Sequence, residues 1–210
     1  MSTASIDQID ALYIAKHILE KLQITPVVDI PEPITLPESV NTALRDLEII
    51  EDTWEYTAPI SGPSFGRKEA RETIKLWSVP QKSAEVLRNL ILLTGAQNIL
   101  EIGTSGGYST LHLASGTKGT VHTIELLLEK VMLARDVFEK SSLENIHLIE
   151  GEAGVVLNNW QGGKLDFVFL DADKENYGKY LQLLLPNLKA EGLIVADNIN
   201  DYGHLMEDYL

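Results

Sequence analysis

The chain has 210 residues, 44% of them hydrophobic, enough for one substantial core and too few for two full ones. Seventeen Lys plus Arg against 31 Asp plus Glu give a formal charge of −14, which repels phosphate backbones and anionic lipid surfaces and argues against a nucleic-acid or membrane partner. The absence of cysteine excludes disulfides, thiolate zinc sites and cysteine nucleophiles.

The N-terminal sequence lacks a basic region followed by an apolar core, and no apolar run approaches the roughly 18 residues of a spanning helix, so a cytoplasmic protein is expected. Apolar residues at Ile6, Ile9, Leu12, Tyr13, Ile18, Leu19 and Leu22 predict a first helix over 6–22. Pro26, Pro31, Pro33 and Pro37 then forbid regular helix and favour an extended linker. A second helix begins near Pro37 and carries Val40, Ala43, Leu44, Leu47 and Ile50. Thr57 to Lys68, with two prolines and two glycines, reads as a loop that fits either a strap or a lid over a site. Residues 1–60 are thus expected to form a helical extension and 61–210 the main domain.

From Pro80 onward helix and strand alternate. A helix through Ala84, Leu87, Leu90, Ile91 and Leu92 leads into a strand at Ile99 to Ile102. Further strands are expected at Thr120–Ile124, Ile146–Ile149, Leu165–Leu170 and Leu193–Ala196. Helices are expected near Tyr108–Ala114, Leu127–Lys140, Ala153–Asn158 and Glu175–Leu188. Five short apolar strands separated by helices imply a parallel, doubly wound α/β sheet, which binds ligands at the carboxyl ends of its strands. Polar residues stand where each strand stops: Glu101 and Gly103, Glu125, Gly151 and Glu152, Asp171 and Asp173, Asp197 and Asn198. Any one acid could be a helix cap; five strand ends in series point to a site.

The stretch NILEIGTSGGYST, residues 98–110, ends a buried strand in an acid and turns through glycines into a helix. A dinucleotide fingerprint would read G-x-G-x-x-G; here Ser105 stands at the second glycine, giving E-x-G-x-S-x-G over Glu101, Gly103, Ser105 and Gly107. This motif resembles that of the class I methyltransferases that use S-adenosylmethionine. Glu125 follows Gly103 by 22 residues, close to the roughly 20-residue spacing at which an acid reaches ribose hydroxyls. Ser109 and the amides near Gly107 and Tyr108 open a helix whose partial positive charge suits an anion, which in the resembled families is the methionine carboxylate. By the same resemblance Val79 and Asp171 join the cofactor contacts, and Glu152 and Ala153 lie beside the adenine.

LDFVFLDADKENY and GLIVADNIN carry a sharper resemblance, to the cation-dependent O-methyltransferases that include the catechol and caffeoyl-coenzyme A enzymes and bacterial relatives. It runs from about Phe65 to Leu210. It implies Asp171, Asp197 and Asn198 as ligands of a divalent cation, and Lys174 as general base. Three oxygen ligands with open positions suit magnesium first, then manganese or calcium. Asp173 would support that site, and Tyr177 and Trp77 would touch an aromatic acceptor. A catechol chelated through both oxygens becomes more acidic, so a lysine can take its proton before in-line methyl transfer.

The resemblance implies a small phenolic acceptor and a homodimer, and two strands beyond the fifth that the 210 residues do not contain. An S-adenosylmethionine-binding or oligomerisation module without turnover is therefore a second reading. A nicotinamide-dependent dehydrogenase is disfavoured by the missing G-x-G-x-x-G.

Overall fold

The computed structural model describes residues 6–27, 35–57 and 73–198. Five strands form a parallel sheet: β3 (Asn98–Ile102), β4 (Thr120–Glu125), β5 (Ile146–Glu150), β6 (Leu165–Leu170) and β7 (Leu188–Ala196). Their order is β5-β4-β3-β6-β7, so the chain leaves the central β3 first in one direction and then in the other. In such sheets the cleft at the carboxyl ends, where the order reverses, is the ligand position. Here it lies between β3 and β6.

Alternation along the strands divides the core into two layers. Ile99, Val121, Phe167 and Phe169 face α1 (Ile6–Lys21), α2 (Glu38–Ile50), α3 (Gln81–Thr94), α4 (Tyr108–Ser115) and α5 (Leu128–Ser141). Leu100, Ile102, Ile124, Val168 and Leu170 face α6 (Ala153–Asn158) and α7 (Tyr177–Leu184). Leu12, Ala15 and Leu19 of α1 and Val40, Ala43, Leu44 and Leu47 of α2 belong to the same buried cluster as the sheet. The apolar stripe of α1 is narrower than its sequence suggests. Tyr13 and Leu22 are exposed, and the Tyr13 ring stacks on His17.

α2 and α3 both start directly after a proline, Pro37 and Pro80, whose fixed φ suits the entry to a helix. Tyr56–Thr57 (β1) pairs antiparallel with Thr73–Ile74 (β2), so the segment expected as loop is entered and left through a short ladder. The rest of that loop, including Arg67, Lys68 and Arg71, the middle of the Pro-rich linker and the chain after Asn198 lie outside the described residues. The helix expected over Glu175–Leu188 is instead a 3-10 turn at Lys174–Asn176, α7, and a second 3-10 turn at Leu185–Asn187, where Pro186 removes an N–H donor. β7 begins at Leu188, five residues before the expected Leu193, with a register shift opposite Leu165 and Phe167.

A candidate cofactor cleft with an acid–lysine pair

Gly103 brings the two halves of the cleft together. Its φ is +101°, and a Cβ there would lie 1.9 Å from the carbonyl oxygen of Asp171, so only glycine lets β3 and β6 end side by side. The Asp171 amide donates to the Ile102 carbonyl at 2.9 Å, and Gly103 and Thr104 donate to the Ile124 carbonyl at 3.0 and 3.2 Å. Gly107, at φ +94°, caps α4, and a Cβ there would collide with the Phe138 ring at 2.5 Å. Ser105 between them also has positive φ. Its amide donates to Glu125 Oε2 at 2.8 Å and its hydroxyl to the Leu76 carbonyl at 2.5 Å.

Glu101 stands directly behind this loop, with no exposed surface. It accepts hydrogen bonds from Ser109 and Thr110, both at 2.5 Å, and from Thr123 at 2.6 Å, and the Thr123 hydroxyl also contacts that of Thr104. Burial raises its pKa to about 7 against the opposing pull of the three hydroxyls. The carboxyl and the Ser109 hydroxyl are therefore engaged with each other and hold the loop from below. Tyr108 is buried too, and its hydroxyl donates to Glu48 of α2 at 2.9 Å.

Glu125 ties the loop after β3 to the loop after β4. Besides accepting from Ser105, it accepts from the Leu126 and Leu127 amides at 3.0 Å each while remaining partly exposed. Glu152 caps α6 by accepting from the Gly154 and Val155 amides at 3.0 and 2.7 Å, and it pairs with Lys179. Ala153 begins that helix and is buried. Val79 is buried just ahead of α3, in a segment tied down where the Ser78 amide and hydroxyl donate to Glu51 at 3.0 and 2.6 Å.

At the end of β6, Lys174 Nζ lies 2.7 Å from Asp171 Oδ1 and 2.9 Å from the Tyr177 hydroxyl, which itself donates to the Leu170 carbonyl at 2.9 Å. Burial raises the Asp171 pKa, Lys174 opposes that rise, and Asp197 adds to it. The Asp197 amide donates to the Leu170 carbonyl at 2.9 Å, which sets Asp197 and Asn198 beside Asp171. Asn198 has φ +60°, a conformation that asparagine tolerates better than most residues. Asp173 is turned away, accepting from Asn176 and from the Tyr180 hydroxyl. Tyr177 is fully buried, whereas Trp77 is half exposed.

Among the described residues no group of three or more His, Cys, Asp or Glu side chains is arranged to hold a metal ion. Asp171 and Asp197 are two carboxylates on neighbouring strand ends, Asp197 adds to the cost of ionising Asp171, and the Asn198 amide adds a third oxygen. Such a donor set fits a hard divalent cation and not a soft one. None of the helices among the described residues is long and apolar enough to cross a membrane.

Sequence reasoning passed over several participants. Lys130 of α5 is buried, donates to the Leu76 carbonyl at 3.3 Å and sits 5.1 Å from the centre of the Trp77 ring. Thr104, Thr110 and Thr123 complete the shell around Glu101. The one available signal was a lysine in the first turn of a helix, where a cation is disfavoured by the dipole.

A parallel sheet that reverses direction at β3, with a glycine-turned loop there and an acid closing the next strand, defines a Rossmann-like nucleotide-cofactor fold. Residues 64–209 match the family model for O-methyltransferases, and the chain belongs to that family. Over 132 residues it is 35% identical to a catechol O-methyltransferase of Mycobacterium tuberculosis, a match spanning 60% of each chain. Over 144 residues it is 38% identical to caffeoyl-CoA O-methyltransferase 1 of Zea mays, covering 62% of this chain and 56% of that one. The chain therefore spans at most about three fifths of these curated relatives. The O-methyltransferase of Bacillus cereus, solved in complex with SAH, superposes with a TM-score of 0.62 at 25% identity, over 94% of this chain and 78% of that one.

Proposed function

We propose that this chain transfers the methyl group of S-adenosylmethionine to a hydroxyl of a small catechol-type or phenolic acceptor, with help from a divalent cation. The observation that carries the reading is the approach of Gly103 to Asp171, which sets the glycine-turned loop against the part-buried Asp171–Lys174 pair across the switch point of the sheet.

In this reading Glu125, partly exposed and already fixed by three amides, accepts from the ribose diol. Val79, Gly103, Ser105, Gly107, Tyr108 and Ser109 line or support the methionine end, with Glu101 fixing their geometry from behind. Glu152 and Ala153 are assigned to the adenine side. Asp171, Asp197 and Asn198 would hold the cation, which when bound lowers the pKa of a coordinated hydroxyl. Lys174 takes the hydroxyl proton while Tyr177 keeps its amine in place. The acceptor oxygen forms a bond to the methyl carbon, the carbon–sulfur bond breaks, and the sulfonium leaves as a neutral thioether. The chain's own contribution is chiefly positioning, with oxygen and carbon held at roughly 3 to 3.5 Å.

The test is transfer of labelled methyl from S-adenosylmethionine to a panel of catechols by the 210-residue chain, with magnesium and with chelator. Transfer that vanishes with chelator is the expected result. Binding of the cofactor without transfer under either condition would favour a cofactor-binding module instead.

A further inference from the structure

His122 of β4 and His147 of β5 stand opposite each other in the parallel register, on the face of the sheet that carries Leu100 and Ile124. A sheet covered on both faces calls for apolar side chains at such positions, as Leu100 supplies beside His122 in β3. Two adjacent imidazoles depart from that pattern. Their ring centres are 5.3 Å apart and their planes meet at 53°. His122 is half-buried, and His147, on the edge strand, is exposed. Trp160 walls the pair on one side. Its ring meets that of His122 edge-on, with centres 5.1 Å apart, and its indole N–H donates to the Gly163 carbonyl at 2.8 Å, which holds the ring in place. The proposed chemistry gives this pair no task. Glu125, three positions after His122, belongs to the opposite face of the sheet and stands roughly 10 Å further along the strand.

Two imidazoles at this separation are a chelating pair. Zinc–nitrogen bonds of about 2.0–2.1 Å meeting at a tetrahedral angle place two ring centres about 5.2 Å apart, which matches the observed 5.3 Å. Imidazole donors suit zinc and copper(II), whereas magnesium and calcium prefer oxygen. We propose that His122 and His147 form a second metal site, which takes a borderline transition-metal ion, zinc or copper(II), through two imidazoles and completes its coordination with water. It differs in donor chemistry and in place from the site proposed at Asp171, Asp197 and Asn198, and it stands whether or not the chain transfers methyl groups. With two protein ligands and a position at the edge of the sheet, it exchanges its ion readily with solvent. The bound ion ties β5 to β4, and because unfolding separates the two imidazoles it stabilises the fold by mass action.

The experiment is calorimetric titration of the full chain with zinc chloride in excess magnesium, paired with copper(II) quenching of tryptophan fluorescence. Wild type, His147→Gln, His122→Gln, Trp160→Phe and, as a surface-histidine control, His17→Gln are compared. Wild type is expected to take up a zinc ion that neither His147→Gln nor His122→Gln retains, and His17→Gln should match wild type. Copper should quench wild type more than either of those two variants. Trp160→Phe should keep the zinc uptake and lose most of the quenching, which places the ion beside that ring. His147 is exposed, so its replacement spares the core and keeps the test sharp even where His122→Gln folds poorly. Equal zinc uptake by His147→Gln and wild type overturns the proposal. So does a wild type that takes up no zinc at large excess over protein, or copper quenching that Trp160→Phe leaves undiminished.

Discussion

The Lys174 ammonium lies 2.7 Å from Asp171, with side chains only 14% and 19% exposed, so each of these charges is held inside the protein chiefly by the other. Removing one partner of a buried pair leaves the other uncompensated. Lys174→Met is therefore expected to lower methyl transfer by roughly 10²- to 10⁴-fold, the range for a lost general base. Binding of S-adenosylhomocysteine by calorimetry should change far less. A variant that retains wild-type turnover would remove Lys174 from the chemistry.

Glu101 predicts a pH dependence of stability. Its folded pKa of about 7 lies above the ordinary carboxylate value of 4.5, so the folded state keeps a proton that the unfolded chain gives up. The stabilisation is complete below pH 4.5 and is lost as pH rises from there to about 7, some 3 kcal/mol in all on an order-of-magnitude scale. Glu101→Gln is neutral at every pH. Urea unfolding of the two proteins should give curves whose difference favours the variant increasingly over that window and is flat above it. A pH-independent difference would mean that Glu101 titrates in the fold as it does in the unfolded chain.

His112 predicts the opposite slope. Both ring nitrogens are buried without a hydrogen-bond partner, beside the Tyr108 ring at 5.4 Å. Burial first, and the Arg88 charge second, depress its pKa to about 3. A base kept neutral in the fold contributes stability above pH 6.5 that is lost as pH falls from there towards 3. His112→Leu, of similar volume and without polar atoms, should raise stability at pH 7.5 by about 1–2 kcal/mol and soften the acid transition. Destabilisation at pH 7.5 would show that the ring nitrogens find partners in solution.

Gly103 and Gly163 both have positive φ, but only Gly103 is crowded by backbone. Gly163→Ala, whose nearest neighbour would be 3.8 Å away, should cost only the roughly 1–2 kcal/mol of an alanine in that conformation. Gly103→Ala must also displace the Asp171 carbonyl, so it should cost more than about 4 kcal/mol, the exceptional end of single-residue effects. Thermal unfolding compares them directly. Equal losses would mean that β3 and β6 can part at little cost.

The alternating part of the fold was legible because its signals are local. Apolar runs, glycine turns and acids at strand ends can each be read within a few residues of Ile102, Glu125 or Leu170. The start of β7 was not, because Lys189, Glu191 and Gly192 interrupt its apolar pattern and its pairing slips opposite Leu165. The motif marks Glu101 as part of the cofactor loop. The three hydroxyls that engage it come from α4 and β4, and no spacing rule announces them. Lys130 offers only its place in the first turn of a helix as a signal, since its partner at Leu76 is a main-chain carbonyl 54 positions away, which no side-chain pattern records.

The strand order also bears on how the molecule assembles. Ile99 pairs with Val121, 22 positions on, but also with Phe167, 68 positions on. The first closure is short and the second long, and distant pairings form late. A chain emerging from the ribosome can therefore shape the half that holds Glu125 while the residues that will supply Asp171, Lys174 and Asp197 are still unmade. Until β6 docks, β3 offers one bare, strongly apolar edge, and that interval is when this protein is most open to chaperones and to aggregation.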